Sequence, residues 1–211
     1  MDKYQKDINP GVQMTDTGSF RGYAARFLNI DRQGDIILPG AFTKAVQDFV
    51  NDGGLVLADH QNKTSSVVGT IRNATEDKSG LLVDVAFSAT KSGQEIRQLM
   101  RENAVRKMSI GFIAKRPEKY TEKQVNELWQ KYNYTPLAEQ RQMAKGGANI
   151  IKDVAEIYEV SVVPIPANKE ASILAVKGAD NSPAVGGLQQ SEIQALFERA
   201  KAADSILLGC R

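Results

Sequence analysis

Serine acyl transfer needs three residue types together, and this chain offers a candidate for each. Ser109 lies in Met108-Ser109-Ile110-Gly111-Phe112, a strand-like run. Period-two alternation puts Met108, Ile110 and Phe112 on one face and the serine hydroxyl on the other. This would stand a small nucleophile on a rigid element, although a merely solvated strand serine has the same local pattern. A serine attacks a carbonyl only when a base takes its proton and a third group holds the base. His60 is the only histidine, so it is the one imidazole available, and multi-histidine zinc sites are excluded. The third group must then be an acid, and the run Asp153 to Val163 offers Glu156 and Glu159. Their odd separation sends them to opposite faces of a regular strand, so at most one can sit beside His60 unless a bulge intervenes. Ser161 is the competing serine, but its flanking valines suggest a buried ladder position. The single cysteine, Cys210, is the penultimate residue; it allows no intrachain disulfide, and a chain end rarely provides a thiol with a fixed base.

The elements that must position these groups follow from hydrophobic period and punctuation. Phe20 to Leu28 reads as a strand with Gly22 at a bulge, and Asn29 to Phe42 as two turns at the Asp/Gly cluster and at Pro39-Gly40. Phe42, Ala45, Val46 and Phe49 recur at helical spacing before Gly53-Gly54. Leu55 to Ala58 is a compact apolar run, a buried strand that leads out to Asp59-His60. Val67 to Ile71 and Leu81 to Phe87 are strands, which predicts an antiparallel meander, and Thr90 to Glu102 is a helix that delivers the chain to the serine strand. Gly40 and Gly69 read as backbone devices for a turn and a close strand approach. Tyr120 to Lys145 is helix-prone with a partial apolar face from Trp129, Tyr132 and Tyr134; it is either a lid or partner-binding arm or an ordinary packed helical hairpin. Asp153 to Val163 resumes as a strand, stopped by Pro164 and Pro166, and Ala171 to Val176 adds an edge strand. The expected fold class is α+β, a mostly antiparallel β-barrel with flanking helices and a helical insertion. The expected organisation is a barrel domain over 1–177 with the insertion at 117–149, a flexible linker over 178–190, and an amphipathic helix over 191–211 suited to partner docking or self-association.

Composition narrows the function classes. The 211 residues carry 27 basic and 25 acidic side chains, a net charge of +2, which gives no footprint for nucleic acid. No apolar run approaches the about 18 residues that span a bilayer, and Met1 to Asp7 lacks the apolar core of a signal peptide. A soluble intracellular protein with no membrane partner, no metal and no cofactor is the expectation. The chain has no Gly-x-Ser-x-Gly elbow, which disfavours a small-molecule ester hydrolase.

Four groups of residues then fall in one order: Gly22-Tyr23-Ala24 with Asp35 to Phe42; Asp59-His60 with Val68-Gly69; Met108 to Phe112; and Glu159 to Val163 with Pro166-Ala167-Asn168 and Ala171. In these the chain resembles the tailed-phage prohead proteases, head-maturation serine proteases related in fold to the herpesvirus assembly proteases. The resemblance spans most of residues 20–175 and implies a herpesvirus-protease-like barrel. It implies an endopeptidase that trims scaffold and capsid proteins inside the immature phage head, in the host cell cytoplasm, and acts as a homo-oligomer. Ser109 is then the nucleophile and His60 the general base. The related herpesvirus enzymes use a second histidine as third member, which this sequence lacks. Glu159, inside the matching Glu159-Val160-Ser161 run, is favoured as its replacement, with Glu156 as rival. Gly111 backbone N–H groups or Arg116 are the candidates for an oxyanion hole. The competing function is a catalytically inactive capsid-assembly or scaffolding module on the same barrel, motivated by the linker, the tail helix and the insertion.

Overall fold

The computed structural model describes residues 18–177. The expected linker over 178–190 and the expected helix over 191–211 lie outside the described residues. In chain order the elements are β1 (Ser19–Arg26), β2 (Asp35–Ile37), α1 (Thr43–Asn51), β3 (Leu55–Ala58), β4 (Val67–Glu76) and β5 (Gly80–Phe87). There follow α2 (Lys91–Arg101), β6 (Lys107–Ala114), β7 (Glu118–Tyr120), α3 (Glu122–Lys131), α4 (Ala138–Ala144), β8 (Ala148–Ile151), β9 (Val154–Val163) and β10 (Ile173–Lys177).

Seven strands form one sheet in the order β10-β1-β5-β4-β3-β9-β6. Every neighbouring pair is antiparallel except β3 and β9, which run parallel. The sheet curls into a half-barrel whose two edges meet at one corner. Lys107, at the start of β6, bridges Ser172, and the Ile173 N–H donates to the Arg106 carbonyl at 3.0 Å. The fold is therefore the expected α+β, mostly antiparallel barrel with flanking helices. The bulge anticipated at Gly22 is present as a register shift between Arg21 and Gly22 against β10.

Local chemistry accounts for most boundaries. Alternation in Gly80-Leu81-Leu82-Val83-Asp84-Val85-Ala86-Phe87 buries every second side chain of β5, and Ala45, Val46 and Phe49 are the buried stripe of α1. The Thr90 hydroxyl accepts from the Gly93 N–H and starts α2, and Thr121 with Gln124 forms a capping box on α3. At Gly69 an added Cβ would lie 2.3 Å from the Ala86 carbonyl oxygen, so the β4–β5 approach requires a glycine there.

Two expectations change. Asp35 to Ile37, read as part of a turn region, is a strand that pairs in parallel with β8. The insertion is helical only in its middle, because its ends, β7 and β8, join β2 in a second three-stranded sheet. The helices themselves pack down: Val125 and Trp129 are buried, and the Trp129 indole N–H donates to the Leu28 carbonyl at 2.7 Å. Gln140, also buried, donates to Glu170 at 2.7 Å, and Lys169 reaches Glu139 at 2.7 Å. The hairpin is thereby tied to the segment that follows β9.

Candidate active site

The parallel pairing of β3 with β9 sets the site's geometry. Leu57 of β3, Ser161 of β9 and Ser109 of β6 are consecutive partners across three strands. Two residues before Ser161, Glu159 faces Gly111 of β6. Partners in register share a face, so Ser109, Gly111, Glu159 and Ser161 occupy one patch of the sheet.

His60 is brought to that patch by an abrupt turn at the end of β3. Asp59 and His60 both take left-handed backbone conformations, with φ of 53° and 56°. Such positions cost of order 1 kcal/mol each for residues other than glycine and persist only where surrounding bonds dictate them. Here the Asp59 N–H donates to the Val162 carbonyl at 3.0 Å and the His60 N–H donates to the Ser161 hydroxyl oxygen at 3.2 Å. The turn aims the imidazole at β9. Its Nδ1 lies 2.7 Å from Glu159 Oε1. A carboxylate can only accept, so the ring donates through Nδ1, the arrangement in which a neutral imidazole keeps its lone pair on Nε2. The imidazole is half exposed while the Glu159 side chain is only 6% exposed. Its other oxygen, Oε2, accepts from the Ser161 hydroxyl at 2.5 Å. A carboxylate withdrawn from water is costly unless both oxygens find donors, and this one has them.

Ser109, Gly111, His60 and Glu159 line a single cleft of about 730 Å³, which Asp31 and Asn168 also line. Ser109 is 6% exposed, so it is a buried cleft serine rather than a solvated strand residue. Gly111 has a steric role in the arrangement. An added Cβ there would lie 2.4 Å from both Glu159 Oε1 and the edge of the Tyr158 ring, so the acid and that ring together occupy the space a side chain would need. Asp31 holds the turn before β2 by accepting from the Gln33 and Asp35 N–H groups at 2.8 and 3.0 Å. Burial pushes its carboxyl up from the usual aspartate range, opposed by those backbone donors.

Glu156 is placed elsewhere. A bulge at Tyr158, between the pairs Gly111 with Glu159 and Phe112 with Ile157, separates the two acids. Glu156 is exposed opposite Ile113 and does not line the cleft. Arg116 is exposed with φ of 44° and is likewise not among the cleft residues, whereas Gly111 is. Ser161 is fully buried, as expected of a ladder position, but its hydroxyl is also bonded to both His60 and Glu159. Sequence reasoning passed over that role. The available signal was the two-residue spacing of Glu159 and Ser161, which puts both on one face of the strand. Among the described residues no group of three or more His, Cys, Asp or Glu side chains could hold a metal ion, and no helix is long and apolar enough to cross a membrane.

Comparison with known proteins places these features in a family context. Residues 6–182 match the pattern of the caudovirus prohead serine proteases. The prohead protease of Enterobacteria phage HK97 is 30% identical over 198 residues, covering 88% of this chain and 76% of that protein. Among solved structures, the bacteriophage T4 capsid assembly protease, gp21, is similar at a TM-score of 0.46 and 11% identity, covering 70% of this chain and 82% of that one. The KSHV protease in complex with a hexapeptide phosphonate inhibitor is similar at a TM-score of 0.39 and 11% identity, covering 88% of this chain and 77% of that one.

Proposed function

This chain belongs to the caudovirus prohead serine protease family, and we propose that Ser109 is its nucleophile, His60 its general base and Glu159 the acid that orients the base. The observation that carries the assignment is the 2.7 Å contact between His60 Nδ1 and a nearly buried Glu159 in the cleft that Ser109 lines. No second histidine exists to do the same work.

The reaction follows from these roles. The Ser109 hydroxyl oxygen attacks the scissile carbonyl carbon as its proton passes to His60 Nε2, and the resulting imidazolium is stabilised by Glu159 at Nδ1. Collapse of the tetrahedral intermediate breaks the C–N bond, and the same proton leaves with the amine. Water, deprotonated by His60, then attacks the acyl-serine, and the proton returns to Ser109 as the ester bond breaks. Nδ1 must keep its own proton throughout, which is why the acid has to lie on that side of the ring.

The substrates we assign are the capsid and scaffold proteins of the immature head, cleaved inside the prohead in the host cytoplasm by a homo-oligomer of this chain. The test is co-expression of the wild-type protein, Ser109→Ala and His60→Ala with the capsid and scaffold proteins of the same phage, followed by intact-mass analysis. Discrete truncation by the wild type alone supports the reading. Equal truncation by Ser109→Ala overturns it.

A further inference from the structure

Ser161 touches both partners of the base–acid pair yet is fully buried, so it cannot itself meet a substrate. Its one hydroxyl is used in both senses. The O–H donates to Glu159 Oε2 at 2.5 Å, and the oxygen accepts the His60 backbone N–H at 3.2 Å. The first bond fixes the rotation of the carboxylate so that Oε1 is left to face Nδ1. The second satisfies a backbone donor in a left-handed conformation that histidine adopts only under constraint. Ser161 is also the direct ladder partner of Ser109 on β6, so the strand that carries the anchor registers the nucleophile as well.

We infer that Ser161 is a positioning residue: its hydroxyl ties the orientation of Glu159 to the backbone turn that presents His60, and so sets the base against the nucleophile. This rests on the assignment of His60 and Glu159 as base and acid. Its chemistry is hydrogen bonding alone, with no bond made or broken at Ser161. An alanine leaves two polar groups without a partner, namely one oxygen of a buried carboxylate and the His60 N–H. A threonine keeps the hydroxyl at the cost of one methyl group.

The test compares the full-length wild type, Ser161→Ala and Ser161→Thr. The readouts are kcat and KM on a peptide spanning a mapped cleavage site, the thermal midpoint, and the ring-nitrogen resonances of 15N-histidine-labelled protein. Because His60 is the only histidine, it gives one assignable pair of signals. The expected result for Ser161→Ala is a fall in kcat of about 10- to 100-fold with KM within about twofold. Its two ring-nitrogen signals should also draw together as the preference for a protonated Nδ1 weakens. Ser161→Thr should keep the wild-type signal pattern and recover most of kcat. Wild-type kcat and unchanged ring signals in Ser161→Ala would overturn the inference, as would a Ser161→Thr protein that folds but is as impaired as the alanine variant. If the alanine variant fails to fold, the threonine variant decides alone by the same two readouts. Ser109→Ala and His60→Ala run beside them: activity surviving in those variants would mean that the site assignment itself has failed. Their inactivity together with a normal Ser161→Ala would remove only the role given to Ser161.

Discussion

The two candidate acids differ at the level of single atoms, and the difference is measurable. Glu159→Gln replaces an acceptor of the Nδ1 proton by an amide that can turn an NH₂ toward the ring, which favours the wrong tautomer. The expected loss in kcat is about 10³- to 10⁴-fold, read by peptide cleavage. Glu156→Gln, at an exposed position outside the cleft, should be indistinguishable from wild type in the same assay. Gly111→Ala tests the space that the acid occupies. Its Cβ would push against Glu159 Oε1 from 2.4 Å, so activity should fall at least tenfold while circular dichroism reports an intact sheet. The histidine count leaves His60 as the one imidazole in the chain, whereas alternation gives only the face of the Ser109 hydroxyl, and it is the family resemblance that points to this serine. The choice between the acids was not legible from alternation, because the bulge at Tyr158 interrupts the period on which that argument depends. The burial of Ser109 was hidden for a related reason: a pentapeptide shows which face a hydroxyl is on, but not which strands and loops cover that face.

At the scale of elements, long runs with strong periodicity were legible and short ones paired across a long sequence separation were not. The strands β1, β3, β5, β6 and β9 carry alternation or compact apolar runs of four or more residues. By contrast, Asp35 to Ile37 is three residues long and pairs with β8 more than 100 positions away, so its extended conformation comes from tertiary contact rather than local preference. Cross-strand pairing also gives a pH test. Arg21 on β1 lies directly opposite Asp84 on β5, with Nε 2.5 Å from Oδ1. The hydrogen bond from Arg21 holds the Asp84 carboxyl below the usual carboxylate range against the opposing effect of burial. A depressed folded-state value contributes stability above the unfolded aspartate range and loses it as pH falls through the lower value. Arg21→Gln should therefore lower stability at pH 7 by less than about 1 kcal/mol, since the pair is partly exposed. Thermal melts should show that difference closing below about pH 4. The helical hairpin is a brace: Trp129→Phe leaves the Leu28 carbonyl without its donor and removes one fused ring from a buried site, at a cost of at least about 1–3 kcal/mol in chemical denaturation.

In the whole molecule, the curled sheet matters because it makes one surface from residues about 50 and 100 positions apart in sequence, and the helical hairpin secures the loop beyond β9. The buried Asn168, which lines the cleft, donates to the Arg26 carbonyl at 3.1 Å, and the adjoining Lys169 and Glu170 are held by α4. Near-neutral composition with a mixed surface was legible at once, as was the expected antiparallel barrel. The closure of the β6 edge onto the approach to β10 was not, because it depends on curl accumulated over seven strands. The expectation from sequence is that residues 191–211 serve partner docking or self-association. Light scattering on the full chain and on a chain ending at Lys177 should accordingly show a lower oligomeric mass for the shorter one; equal masses would remove the tail as an assembly element. The central claim is narrower, that Ser109 is activated by His60 under the control of Glu159. Its most direct measurement is fluorophosphonate labelling of the purified protein, with the modified residue located by peptide mass spectrometry. The account predicts a label on Ser109 in the wild type and in Glu156→Gln, no label in Ser109→Ala or His60→Ala, and a strongly reduced one in Glu159→Gln. A label on another serine, or a Ser109 label that survives the loss of His60, would contradict it.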